Sequence, residues 1–251
     1  CGGSHGKMGA MVLAARAAVR TGAGLTTVLI PECGYDVLQT AVPEAMCLTS
    51  GVNNITNLIT DSRATAIGIG PGMGTHPTTA DALEAFLTQC AIPLVLDADA
   101  LNIIAERCLQ TQIPAGSIIT PHPKEYARLF GDHGDSMNRV DHARIQAMHY
   151  NIIIVLKDRH TAVINTDGTC WYNTTGNAGM ARGGSGDVLT GIITALLAQG
   201  YTPWQAAQMG VYLHGLAGDK AAAACSMEAM CASDIIAHLG GAFRSIAREK
   251  A

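Results

Sequence analysis

The stretch GNAGMARGGSGDVLTGIITALLAQ (176–199) joins a glycine-rich run to Asp187 and then to an apolar helix. A helix start presents N–H groups without intrahelical partners and the positive end of the helix dipole. Glycines at that point let an anion approach the backbone closely. Two readings of GGSGD follow. In one it is a plain turn, with Asp187 serving only as a cap. In the other, Gly183, Gly184, Ser185 and Gly186 form an anion hole, and Asp187 is held there in charged form as a base toward a hydroxyl. A base beside an anion hole is the arrangement needed to move a phosphoryl group onto an alcohol.

Working outward, the chain alternates apolar strands with helices. Residues 8–21 read as an alanine-rich helix stopped by Gly22 and Gly24. LTTVLI (25–30) is a buried-type strand, and ATAIGIG is another that runs into the glycine loop GPGMG (70–74). A helix over 78–90 leads to the strand PLVLD (93–97), and a short helix starts at Asp99, its cap. SIIT (117–120) runs into a loop, TPHPKE. A helix over 138–149 precedes the strand NIIIVLK (151–157). TAVIN and TCWYN form a hairpin turned by Asp167-Gly168. Helices follow over 187–199, 203–223 and 233–248, the second opened by Thr202 as cap and Pro203. This order predicts one α/β domain over 1–251 with a mostly parallel sheet covered on both faces. Ligands then belong at the carboxyl ends of the strands.

The composition agrees with a large core: 48% of the 251 residues are hydrophobic and 14% charged. A net charge of -4, no Lys/Arg cluster and 4% aromatic residues speak against a nucleic-acid surface. No apolar run is long enough for a membrane span. The eight cysteines show no C-x-x-C spacing and read as small core residues of a cytoplasmic protein. GGSHGK (2–7) is one residue short of a phosphate loop, and Met8 stands where Ser or Thr is needed, so that reading is rejected. Because this motif opens the chain, a further strand is expected ahead of Cys1.

The loops at the strand ends supply the remaining candidates. GPGMG is either a tight loop or a place where backbone meets a flat ligand. Asp97 and Asp99 are capping groups, or carboxylates for a ligand or for Mg²⁺ and its waters. His122, between prolines, is structural or a ligand contact. Lys157 at a strand end could meet a phosphate as a point charge.

Taken together, GGSHGKMGAMVLAARAAVRTGAG, GPGMG, LDADALN, TPHPKE and GNAGMARGGSGDVLTGIITALLAQG strongly resemble the ADP/ATP-dependent NAD(P)H-hydrate dehydratase family, over nearly the whole chain and in the family's order. The resemblance implies a ribokinase-like fold, a single three-layer α/β/α domain. It also implies an activity: ADP or ATP phosphorylates the hydroxyl of the S epimer of hydrated NADH or NADPH, and phosphate then leaves to restore the cofactor. Asp187 would be the base and Gly183 to Gly186 the phosphate hole. Lys157, Asp158, Arg159, His160, Thr161 and Gly186 would contact the adenine nucleotide. Ala10, Gly72, His122 and Asp187 would contact the hydrated cofactor, with Asp97, Asn102 and Glu125 as further contacts. Mg²⁺, a homotetramer and a fused or separate epimerase domain are also implied, while the metal ligands are left unassigned. The chain departs from the family at Lys124, Asp158-Arg159 and Arg182, and Lys124 and Arg182 add positive charge near an anionic substrate. The competing readings are a ribokinase-like kinase of a small alcohol, such as a vitamin precursor, and a nucleotide-binding sensor without catalysis.

Overall fold

The computed structural model describes residues 1–59 and 63–248. Its main sheet has six strands in the order β3 (Ile67–Ile69), β4 (Leu94–Leu96), β5 (Ile118–Ile119), β6 (Ile153–Leu156), β7 (Ala162–Ile164) and β8 (Cys170–Tyr172). The first four are parallel; β7 and β8 close the sheet as an antiparallel hairpin. The helices are α1 (Met8–Thr21), α2 (Tyr35–Ala41), α3 (Pro77–Gln89), α4 (Ala98–Glu106), α5 (Pro123–Phe130), α6 (Ser136–Tyr150), α7 (Ser185–Ala198), α8 (Pro203–Cys225) and α9 (Ala232–Arg248).

Side-chain alternation along the strands builds the three layers. Val95, Ile118, Ile153, Val155 and Val163 pack toward α7, α8 and α9. Their neighbours Leu94, Leu96, Ile119, Ile154 and Leu156 pack toward α3, α4, α5 and α6. The strands are buried on both faces, which is why they read as continuous apolar runs rather than alternating ones. No helix among the described residues is long and apolar enough to cross a membrane.

Four expectations need correction. The first apolar strand, β1 (Thr27–Ile30), does not join the main sheet; it pairs in parallel with β2 (Met46–Thr49). A cavity of about 440 Å³ lies between β1 and β3. Cys1 and Gly2 bridge the two sheets at one end: the Gly2 N–H donates to Leu29 O (3.0 Å), and the Gly70 N–H donates to Cys1 O (3.1 Å). Second, TPHPKE is not a loop throughout, because α5 starts at Pro123. His122 caps it in a capping box with Glu125. Third, the cap position of α4 is Asp97, with Asp99 inside the first turn. Fourth, the cysteines are not core residues. All eight are free and none is fully buried: Cys1, Cys47, Cys90 and Cys170 are half-buried against the edges of the core clusters, and the other four are exposed.

Candidate functional site

The parallel strands deliver their carboxyl ends to one edge of the sheet. There β3 feeds the 70–74 loop, β4 leads directly to Asp97, β5 leads to His122 and β6 leads directly to Lys157. The N-terminus of α7 meets them: a Cβ built on Gly186 would stand 3.4 Å from Lys157 Nζ and 3.6 Å from Asp97 Oδ2. Residues far apart in sequence, chosen as candidates from their loops, are therefore neighbours.

The glycine run is shaped by its surroundings. Gly184 is the residue before α7 and has φ 92°, which disfavours any side chain, and a Cβ there would stand 2.6 Å from Leu13 Cδ1. No side chain caps α7, so Asp187 is not a cap. The first-turn N–H groups of an uncapped helix are open to an anion, apart from that of Ser185, which turns back to the Arg182 carbonyl at 3.4 Å.

Behind the run, α8 acts as a rack. Thr175 Oγ1 donates to the Tyr212 carbonyl (3.0 Å), and His214 Nε2 hydrogen-bonds Ser185 Oγ (3.2 Å). Asp219 accepts from the Gly176 N–H (2.9 Å) and from Asn177 Nδ2 (3.0 Å). Burial lowers the His214 pKa to about 4, so its ring is neutral.

The charges form a linked set. Lys157 Nζ donates to Asp97 Oδ1 at 2.8 Å and lies 3.9 Å from Glu125 Oε2. Thr190 Oγ1 donates to the other oxygen of Asp97 at 2.7 Å. Burial disfavours the Lys157 ammonium, but the carboxylates of Asp97 and Glu125 outweigh it and leave the pKa above its ordinary value. At Asp187 the balance runs the other way. Burial first, then the charges of Asp97 and Asp99, push its carboxyl up to about 6, against the pull of Lys157. The helix start therefore does not hold Asp187 at an ordinary carboxylate pKa. At pH 7 it is still roughly nine-tenths ionised, and it is a stronger base than a free aspartate.

His122 accepts from the Lys124 and Glu125 N–H groups through Nδ1 (3.1 and 3.2 Å), leaving Nε2 on its other side, 3.4 Å from Glu125 Oε1. Burial lowers the His122 pKa. Ala10 and Gly72 adjoin: a Cβ on Gly72 would stand 3.0 Å from that of Ala10. Asn102 accepts from Arg128 (2.7 Å) and donates to Asp99 (3.3 Å). In the loop after β6, Asp158, Arg159 and His160 are exposed, and Arg139 of α6 ties Asp158 at 3.4 Å. Arg182 donates to the Glu228 carbonyl, so its head is anchored to the α8–α9 connection.

Lys7, Thr190, His214 and Asp219 were not singled out from sequence. Lys7 of the rejected phosphate loop pairs with Asp99 at 3.2 Å, and Asp99 also accepts from the Gly74 N–H at 2.9 Å. Among the described residues no group of three or more His, Cys, Asp or Glu could hold a metal ion, and both oxygens of Asp97 are already engaged.

The sheet order and the glycine-bounded helix start define a ribokinase-like α/β protein. Hydroxyethylthiazole kinase from Pyrococcus horikoshii shares that fold at a TM-score of 0.60 and 14% identity, over 90% of this chain and 92% of that one. The chain belongs to the NAD(P)H-hydrate dehydratase family, whose model matches residues 1–240. It is 37% identical to the bifunctional NAD(P)H-hydrate repair enzyme of Moorella thermoacetica over 99% of this chain and 49% of that protein. It is 38% identical to the ADP-dependent (S)-NAD(P)H-hydrate dehydratase of Neisseria meningitidis over 87% of this chain and 74% of that one. The structure of ADP/ATP-dependent NAD(P)H-hydrate dehydratase from Bacillus subtilis superposes with a TM-score of 0.83 at 29% identity, over 97% of this chain and 89% of that one. The chain spans about half the length of the bifunctional relatives it matches.

Proposed function

We propose that this chain dehydrates the S epimer of hydrated NADH or NADPH at the expense of ADP or ATP. With ADP the balanced reaction is hydrated NADH plus ADP giving NADH, AMP, phosphate and a proton. The observation that carries the reading is the placement of Asp187, a base with a raised pKa, at the uncapped glycine-bounded start of α7 and within the field of Lys157.

In this reading Asp187 takes the proton of the ring hydroxyl as its oxygen attacks the terminal phosphorus of the nucleotide. The N–H groups of Gly183 to Gly186 and the Lys157 ammonium stabilise the charge on the phosphoryl group in transit. The phosphorylated oxygen then leaves with its electron pair as phosphate, a far better leaving group than hydroxide. The neighbouring ring carbon loses a proton and the double bond returns. His122, Ala10 and Gly72 line the hydrated-cofactor side; residues 157–161 line the nucleotide side. Among the described residues no group of His, Cys, Asp or Glu forms a cage for Mg²⁺, so the metal would enter held mainly by nucleotide phosphates.

The test is to incubate purified protein with hydrated NADH and ADP or ATP separately. Absorbance at 340 nm should grow in step with phosphate release. A stable phosphate ester of a small alcohol, with no NADH formed, would overturn the reading in favour of a kinase.

A further inference from the structure

We propose that Asp97 is a positioning residue: clamped to α7 by Thr190, it fixes the Lys157 ammonium against the start of α7, where the phosphoryl group would pass. This rests on the reading of the site given above. Asp97 is 1% exposed, and each of its carboxylate oxygens has one partner on a different element. Oδ1 accepts from Lys157 Nζ at the end of β6, and Oδ2 accepts from Thr190 Oγ1 one turn inside α7. A lysine on a flexible four-carbon stem is a poorly placed charge by itself. Here the buried carboxylate sets its direction, and the Thr190 hydroxyl sets the direction of the carboxylate.

The clamp also ties the strand edge to the helix start. The Thr190 hydroxyl, its one proton directed at Asp97, also lies 3.2 Å from the Gly186 carbonyl, so the residue that orients Asp97 sits one turn from the glycine run. The groups facing Lys157 are Asp97 after β4, His122 and Glu125 at the start of α5, Asp187 on α7 and His214 on α8; those facing Asp187 are Asp97, Asp99 on α4 and Lys157. Asp97 is the member common to both sets. Loss of its charge should therefore move the titration of the base as well as release the ammonium, an effect that a purely structural carboxylate would not have.

The experiment is a double-mutant cycle on Asp97→Asn and Lys157→Met. It reads kcat, KM and, separately, the affinity for ADP by calorimetry. Lys157→Met should lower kcat about 10²-fold, the scale for one charge-stabilising donor. Asp97→Asn should fall within a few-fold of that value, and the double variant should be no worse than Lys157→Met alone. The acidic limb of the kcat–pH profile should move to lower pH in Asp97→Asn. Should that variant fold poorly, Thr190→Val reports on the same clamp: kcat falls with KM little changed, and Thr190→Ser restores it. Additive effects, or an Asp97→Asn enzyme with wild-type kcat and an unmoved acidic limb, overturn the proposal and leave the dehydratase reading standing. A wild-type protein that binds ADP without turning over hydrated NADH overturns the reading; non-additive losses of ADP affinity would then still support the clamp. A protein that neither turns over nor binds ADP overturns both.

Discussion

Ser185 Oγ and His214 Nε2 are 3.2 Å apart, and this contact fastens the start of α7 to the middle of α8. Burial lowers the pKa of the ring from 6.5 to about 4. The unfolded chain therefore binds a proton between pH 6.5 and 4 that the folded chain refuses. Stability from this group is fully present above pH 6.5 and is lost as pH falls, by about 1.4 kcal/mol per unit and about 3 kcal/mol in all. His214→Gln, which keeps a polar group beside Ser185, should remove that loss. Chemical denaturation at pH 7.5 and pH 4.5 checks it: the fall in stability between the two should be smaller in the variant.

Asp187 works in the opposite direction. Its folded pKa is raised from 3.8 to about 6, so the ionised carboxylate destabilises the fold above pH 6, and the penalty disappears as pH falls toward 4. Asp187→Asn should cost of order 10²-fold or more in kcat, the scale for a general base. The same variant should gain up to about 2–3 kcal/mol of stability at pH 8, with the gain fading by pH 4. Turnover and thermal unfolding on the same samples decide this. A variant that is inactive and also less stable at pH 8 would mean that the carboxylate is a structural partner rather than a strained base.

These opposed titrations show why sequence reading reached only part of the site. Asp187 was legible because a helix start after glycines is a local pattern. The strand ends were legible because buried parallel strands read as apolar runs. His214, Thr190 and Asp219 were not, since each is one polar residue within a long helix and its role depends on which turn faces the loop. The helix over 123–130 was missed although Pro123 and Glu125 announce it, because the two prolines of TPHPKE were read as a loop. Asp99 reads as the cap when the strand is carried through Asp97, whereas the strand ends at Leu96 and the cap falls at Asp97, two residues earlier.

From the sequence, Arg182 is expected to depart from the family pattern and to add positive charge near the proposed anionic substrate. The structure anchors its head on the Glu228 carbonyl, and the residue is exposed. A solvated charge directed at another loop is screened over roughly 8 Å at physiological salt. Arg182→Thr should therefore change kcat/KM for ADP and for ATP by less than about threefold. Steady-state kinetics with each nucleotide at low and moderate salt test this. A tenfold loss at low salt that vanishes with added salt would assign Arg182 to nucleotide steering instead.

Gly215 sits inside α8, where alanine is normally favoured over glycine by about 1 kcal/mol. Here the helix lies against the backbone of Thr175 and Gly176. A Cβ at Gly215 would collide with Thr175 Oγ1 and stand 2.7 Å from the carbonyl of Thr175. Thr175 cannot swing aside cheaply, because its hydroxyl shares its one proton between two acceptors, Asn173 Oδ1 and the Tyr212 carbonyl, each 3.0 Å away. The steric cost, typically about 1–3 kcal/mol for overpacking, should therefore exceed the propensity gain. Gly215→Ala should lower stability while leaving the helix content seen by circular dichroism unchanged. It should also depress kcat more than the stability loss explains, since the displaced residues 175–177 lead into the loop that carries Gly183 to Gly186. A Gly215→Ala protein with raised stability and full activity would mean that the 175–177 segment yields freely, and that α8 does not set the shape of the anion-binding loop.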